Sequence, residues 1–140
     1  MAQDSINRTV LSAGIMINTM LAQNTEVMAM TGGRIYAVIA PEDAVLPYIV
    51  YGRDSLETNP NKSGRPADGA NIGLACYAAD YVESVNLAEA VRSALDCQSG
   101  AWREDENSRP IIMRQCLLTA SSEDIGVDAY IQDLNFLVRI

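Results

Sequence analysis

Three cysteines, eighteen carboxylates and no histidine set the range of chemistry open to this chain. Without imidazole, Ser-His-Asp and Cys-His catalysis are excluded, together with the commonest transition-metal ligand. A cysteine acting alone needs an electropositive, partly exposed setting that lowers its pKa. Cys76 and Cys116 fall inside strand-like apolar segments, where burial is the expectation. Cys97 follows a helix instead of preceding one, so it lacks an activating helix N-terminus. Carboxylates gather at Glu42-Asp43, Glu104-Asp105-Glu106 and Glu123-Asp124, none with the spacing of a calcium loop. Gly32-Gly33-Arg34 and Lys62-Ser63-Gly64-Arg65 set glycine beside cations without completing a phosphate-binding P-loop. No catalytic residue, metal ligand or cofactor is expected.

The elements that would position such residues read as follows. Ile6, Val10, Gly14, Ile17 and Leu21 recur every three or four residues and predict a helix from Asp4 to Ala22. Asn24 to Met30 adds a short helical turn ended by Gly32-Gly33. Arg34 to Ile39 reads as a strand, and Tyr48 to Tyr51 as a second, begun by Pro47. The stretch from Leu56 to Ala70 holds every common loop residue and no apolar period, so a long exposed loop is expected there. Ile72, Leu74 and Cys76 alternate with Gly73, Ala75 and Tyr77, a strand with one bulky and one mostly small face. Asp80-Tyr81-Val82-Glu83 has capping-box spacing and starts a helix carrying Leu87, Val91, Ala94 and Leu95 on one face, ending at Asp96. A polar connector from Gln98 to Arg109, a strand from Ile111 to Ala120 and a polar turn from Ser121 to Asp128 follow. In the last strand, Tyr130, Leu134, Phe136, Val138 and Ile140 alternate with Ile131, Asp133, Asn135, Leu137 and Arg139.

This order matches no βαβ repeat. It predicts an α+β fold: a mainly antiparallel or mixed sheet of four to five strands, with two helices packed on one face. At 140 residues and 49% hydrophobic, residues 1–140 suit one domain. Ten basic against eighteen acidic residues give a net charge of −8, which disfavours a phosphate backbone as ligand. The three widely spaced cysteines read as reduced cytosolic thiols. No apolar run approaches the roughly 20 residues of a membrane helix, and Asp4 and Arg8 do not suit a signal peptide, so a soluble, untargeted chain is expected.

Arg34-Ile35-Tyr36-Ala37, Ala40-Pro41-Glu42-Asp43-Ala44 and Leu46-Pro47-Tyr48-Ile49-Val50-Tyr51 stand in an order that resembles phage tail completion proteins. In that family a short amphipathic helix and a Gly-Arg-Ile/Val-Tyr strand precede an Ala-Pro turn and a Leu-Pro-Tyr-Ile/Val-Tyr strand. Cys76-Tyr77-Ala78-Ala79, Asp80-Tyr81 and the helix Ala88 to Leu95 continue the likeness, which spans Ile6 to Asp96. Beyond it the terminal strands agree in pattern only, and the acidic connector from Cys97 to Pro110 departs from the family.

The resemblance implies a tail terminator, a non-enzymatic virion protein that caps the last ring of the tail tube, stops its polymerisation and helps join tail to head. Its implied partners are the tail tube protein, head–tail connector proteins and further copies of itself in a hexameric ring, with DNA only as passing cargo and no membrane. It would act in the tail or neck of the virion after assembly in the host cytoplasm. The loop residues Glu57, Asn61, Lys62, Arg65 and Asp68 become candidates for facing the tube or lumen. Arg53, Trp102 and Arg103 become candidate interface residues, although the position of Trp102 in a polar connector favours a lid over the core. Competing readings are a head-side stopper or adaptor, a cytosolic scaffold outside phage biology, and a small-ligand binder using Cys97 or a carboxylate pair.

Overall fold

The computed structural model describes residues 8–58 and 68–140, so Asp4 and Ile6 at the expected start of the first helix lie outside the described residues. The chain enters through a 3-10 turn, Val10–Ser12, with the Thr9 hydroxyl accepting from the Leu11 N–H at 3.3 Å. Helix α1, Ala13–Gln23, buries Ala13, Met16, Ile17 and Leu21. Asn24 ends α1 in extended backbone and caps α2, Thr25–Thr31, by accepting from the Val27 N–H at 3.0 Å. Gly32 then takes φ +64, a left-handed conformation that costs glycine little, and its N–H closes on the Met28 carbonyl at 2.8 Å.

Strand β1, Ile35–Ala37, lies parallel to β2, Tyr48–Glu57, and β2 runs antiparallel to β3, Gly69–Ala78. Helix α3, Tyr81–Leu95, follows at once. Asp80 accepts from the Glu83 N–H at 2.8 Å, and the Glu83 carboxylate reaches back to the Ala79 N–H at 3.0 Å. Strands β4, Gly100–Trp102, and β5, Ile111–Met113, form a separate ribbon. Strands β6, Gln115–Ile125, and β7, Tyr130–Arg139, form a long hairpin. The five-stranded sheet has the order β1-β2-β3-β7-β6 and is mixed, as β1–β2 is its parallel pair. The fold is α+β.

The strands are amphipathic across the sheet. Ile49, Ile72, Leu74, Cys76, Leu134, Phe136 and Val138 are buried under Ile17, Leu21, Leu87, Val91 and Leu95 from the helices. Fully burying each large aliphatic or aromatic side chain is worth about 1.5–3 kcal/mol, so this layer is the main source of stability.

Five expectations need correction. The loop expected from Leu56 to Ala70 is narrower, because Leu56 pairs with Ala70 and Glu57 with Gly69. Ala70 is buried and Leu56 packs on the core, so cross-strand contact overrides the loop-like composition. The connector from Gln98 to Arg109 holds β4, which is paired by the apolar β5. The strand expected from Ile111 to Ala120 is interrupted at Arg114, whose N–H turns to the Arg139 carbonyl at 2.8 Å. Ser121 to Ile125 is strand instead of turn, since the backbone ladder to β7 continues to the Ile125–Tyr130 pair whatever the side chains are. The first helix also begins later than expected: Arg8 and Thr9 are not helical, Val10–Ser12 is a 3-10 turn begun by the Thr9 hydroxyl, and α1 starts only at Ala13, while the short helical turn expected after Asn24 is α2.

Candidate functional site

The helices cover one face of the sheet and leave the other open. On that open face β1 and β2 contribute Tyr36, Tyr48, Val50, Gly52 and Asp54, and β3 contributes Gly73, Ala75 and Tyr77. Ile131, Asp133, Asn135 and Leu137 of β7 continue it, all by strand alternation from the buried residues. Tyr48 stacks on Tyr77 at 4.6 Å between ring centroids, and Tyr36 meets Tyr48 edge-on at 5.9 Å. Burial pushes the Tyr48 hydroxyl pKa up, with Tyr77, Asp128 and Tyr36 adding to it.

Beside this ladder the small residues Gly52, Gly73 and Ala75 leave a trough of about 440 Å³, walled by Val38, Asp54 and Asp133 among others. A register shift in β2 between Arg53 and Ser55 makes Asp54 an extra residue, and such a bulge re-aims its side chain. The Asp54 carboxylate lies over Gly73, where an added Cβ would stand 2.7 Å from Oδ2. Asp133, paired with Ala75, faces the same trough. Burial raises its carboxyl above the usual range, and the charges of Asp124 and Asp54 raise it further. Val38 forms the rim in a left-handed conformation, φ +67, strained for a β-branched residue. Its N–H is held by the Tyr51 carbonyl at 2.7 Å.

A second exposed surface caps the far end of the β6–β7 hairpin, where Tyr81, Ile125, Val127 and Tyr130 are all exposed. Tyr81 meets Tyr130 edge-on at 6.2 Å and donates from its hydroxyl to the Glu123 carboxylate at 2.6 Å. Gln132 donates to the same carboxylate at 2.9 Å, and these bonds hold the Glu123 pKa down.

The residues singled out from sequence are scattered. Glu57 ends β2 and accepts from the Asn71 side chain at 3.1 Å, and Asp68 directly precedes β3. Asn61, Lys62 and Arg65 lie outside the described residues. Arg53 turns to the helical side and donates to the Leu11 carbonyl at 3.2 Å, tying the N-terminal turn to the sheet. Trp102 is partly buried against the core, and Arg103 donates to the Glu106 carbonyl at 3.2 Å. The open face itself was not singled out, although the small face of β3 and the polar positions Asp133 and Asn135 were visible signals.

The two buried thiols are held in the protonated form. Burial pushes Cys76 up to about 12, with Asp133 adding. Burial also pushes Cys116 up to about 12, with Asp96 and Cys97 adding. Cys97 is exposed, with its thiol 3.8 Å from Asp96 Oδ1. Among the described residues no group of three metal-ligand side chains converges, and no helix is long and apolar enough to cross a membrane.

Comparison with known proteins bears on both the family and the fold. The family model described as tail completion protein gp17 matches residues 16–105. A chain of a solved structure, titled as the virion of a native gene transfer agent particle, superposes with a TM-score of 0.70 at 15% identity, covering 88% of this chain and 90% of that one. At that identity the likeness concerns the fold. No curated protein matches the sequence.

Proposed function

Because the chain belongs to the tail completion protein gp17 family, whose model matches most of its length, we propose that it caps the last ring of a phage tail tube, stops tail polymerisation and forms part of the head–tail joint. In this reading it is a single-domain, non-catalytic virion subunit acting as a ring of copies, hexameric in the virion, after assembly in the host cytoplasm. Its partners are the tail tube protein and head–tail connector proteins.

The observation that carries the reading is the one-sided layering of the fold. A five-stranded sheet covered by helices on one face presents Tyr36, Tyr48, Tyr77, Ile131 and Leu137 on the other. Partly apolar faces of that kind are completed by neighbouring subunits. The net charge of −8 supports passage of DNA without adhesion, since like charge repels the duplex. The segment containing Lys62 and Arg65 between β2 and β3 is the tube- or lumen-facing candidate.

The test is deletion of the gene from the phage or prophage that carries it, with tail length and head attachment read by electron microscopy. Overlong or uncapped tails beside filled, unattached heads are expected. Tails of normal length beside heads that have lost DNA would move the protein to the head side of the neck. Wild-type particles would overturn a structural role. Replacing Lys62 and Arg65 by glutamate should weaken capping if their segment touches the tube.

A further inference from the structure

The trough on the open face brings two carboxylates together, and among the described residues neither has an ion-pair partner. Asp54 enters from the β2 bulge and Asp133 from β7, both over the small floor of Gly52, Gly73 and Ala75. Asp124 of β6 lies outside the trough, toward the Tyr81–Tyr130 surface. The ion pairs found among the described residues lie elsewhere, Arg8 with Glu104 and Arg92 with Asp96. Arg53, next to Asp54 in sequence, is drawn to the opposite side by the Leu11 carbonyl. Arg139, further along β7, donates its Nε to Gln115 at the other end of the face.

We infer that this trough receives an arginine or lysine side chain from an extended basic segment of a neighbouring tail or neck protein. The inference rests on the assembly reading above and names the partner chemistry of the open face. Charge complementarity selects the occupant. The apolar wall of Val38 and Val50 accommodates the aliphatic stem of a long basic side chain, and the carboxylates of Asp54 and Asp133 accept from its head. A nucleic acid is excluded by repulsion. The bulge that swings Asp54 over Gly73 and the strained backbone at Val38 both shape the trough, and strain of this kind clusters at binding sites.

The test uses the full chain and an acetylated Gly-Arg-Gly-Arg-Gly peptide as probe, titrated at low ionic strength with amide shifts followed by NMR. Shifts should cluster at Gly52, Asp54, Gly73, Ala75 and Asp133. Asp54→Asn combined with Asp133→Asn keeps the side-chain shapes and should weaken binding by at least about tenfold, the effect of losing even one of the two charge-assisted hydrogen bonds. Glu26→Gln combined with Glu89→Gln removes the same charge from exposed helical positions and should leave affinity within about twofold. Equal loss in both double variants, shifts centred elsewhere, or no binding would overturn the assignment. Self-association that disappears in Lys62→Glu with Arg65→Glu would overturn the choice of occupant in favour of a second copy. If the trough fails while gene deletion still yields overlong tails, the capping role stands and only the trough's role falls.

Discussion

Replacing Asp96 by alanine should remove about 2 kcal/mol of folding stability at neutral pH. Asp96 follows α3, and its Oδ1 accepts from the Leu118 N–H at 2.9 Å on the outer edge of β6. Its Oδ2 stands 3.3 Å from Arg92 Nε. A hydrogen bond to a charged acceptor contributes about 1.5–3 kcal/mol, and an exposed i,i+4 ion pair adds about 0.3–0.5 kcal/mol. A carboxylate at a helix C-terminus opposes the helix dipole by about 0.3–1 kcal/mol, which brings the sum to about 2. The Leu118 N–H holds the Asp96 carboxyl below its usual range; burial opposes this and Arg92 assists. Since the folded pKa is depressed, the stabilisation is present above the unfolded value and is lost as pH falls through the folded one. Urea unfolding followed by the fluorescence of the single tryptophan, Trp102, should therefore show the full penalty at pH 7 and a progressively smaller one as the pH is lowered below the usual carboxylate range. At neutral pH the melting temperature should drop about 4–8 °C. A penalty below about 0.5 kcal/mol, within the range of a surface substitution, or one equally large in acid, would refute the role given to the Leu118 bond.

Three further outcomes follow from the same structure. Burial and the charges of Asp124 and Asp54 raise the Asp133 carboxyl, so its ionised form destabilises the fold at neutral pH and stability recovers as pH falls from the folded pKa toward the unfolded one. Asp133→Asn should raise the melting temperature at pH 7, and an unchanged or lower value would contradict the raised pKa. Phe136→Ala, at a fully buried site under the helices, should cost about 3–5 kcal/mol in denaturant unfolding; a loss under about 1 kcal/mol would mean the core is not packed as described. Val38 is 79% exposed in a left-handed conformation that costs an L-residue about 1–2 kcal/mol, offset for glycine by about 0.5–1 kcal/mol of chain entropy. Val38→Gly should therefore stabilise by about 0.5–1 kcal/mol, and a lowered melting temperature would show that the strain is absent.

Local signals were legible where a residue's neighbours in sequence are also its partners in space. Asp80 and Glu83 cap α3 at the expected place, and the two-residue alternation in β3 and β7 separates the buried from the open face. The absence of histidine and the burial expected for Cys76 and Cys116 restricted the chemistry before any fold was known. Strand limits were misread where pairing overrides composition. Ser121 to Ile125 looks like a turn because its side chains are mostly polar, yet the ladder to β7 requires only backbone groups. Leu56 and Glu57 were hidden in the same way by the Asn- and Pro-rich segment after them.

What the sequence determined by itself is therefore the α+β class, the capped start of α3 and the alternating faces of β3 and β7, because these depend on periodicity and capping over a few residues. The candidate site depends on something else. Asp54 and Asp133 are separated by much of the chain and meet only because β3 pairs with β2 on one side and β7 on the other, with a one-residue bulge turning Asp54 over Gly73. Neither strand order nor bulge leaves a periodic trace, since both arise from which hydrogen-bonding edges the packed core brings together, and that was decided by the tertiary structure alone.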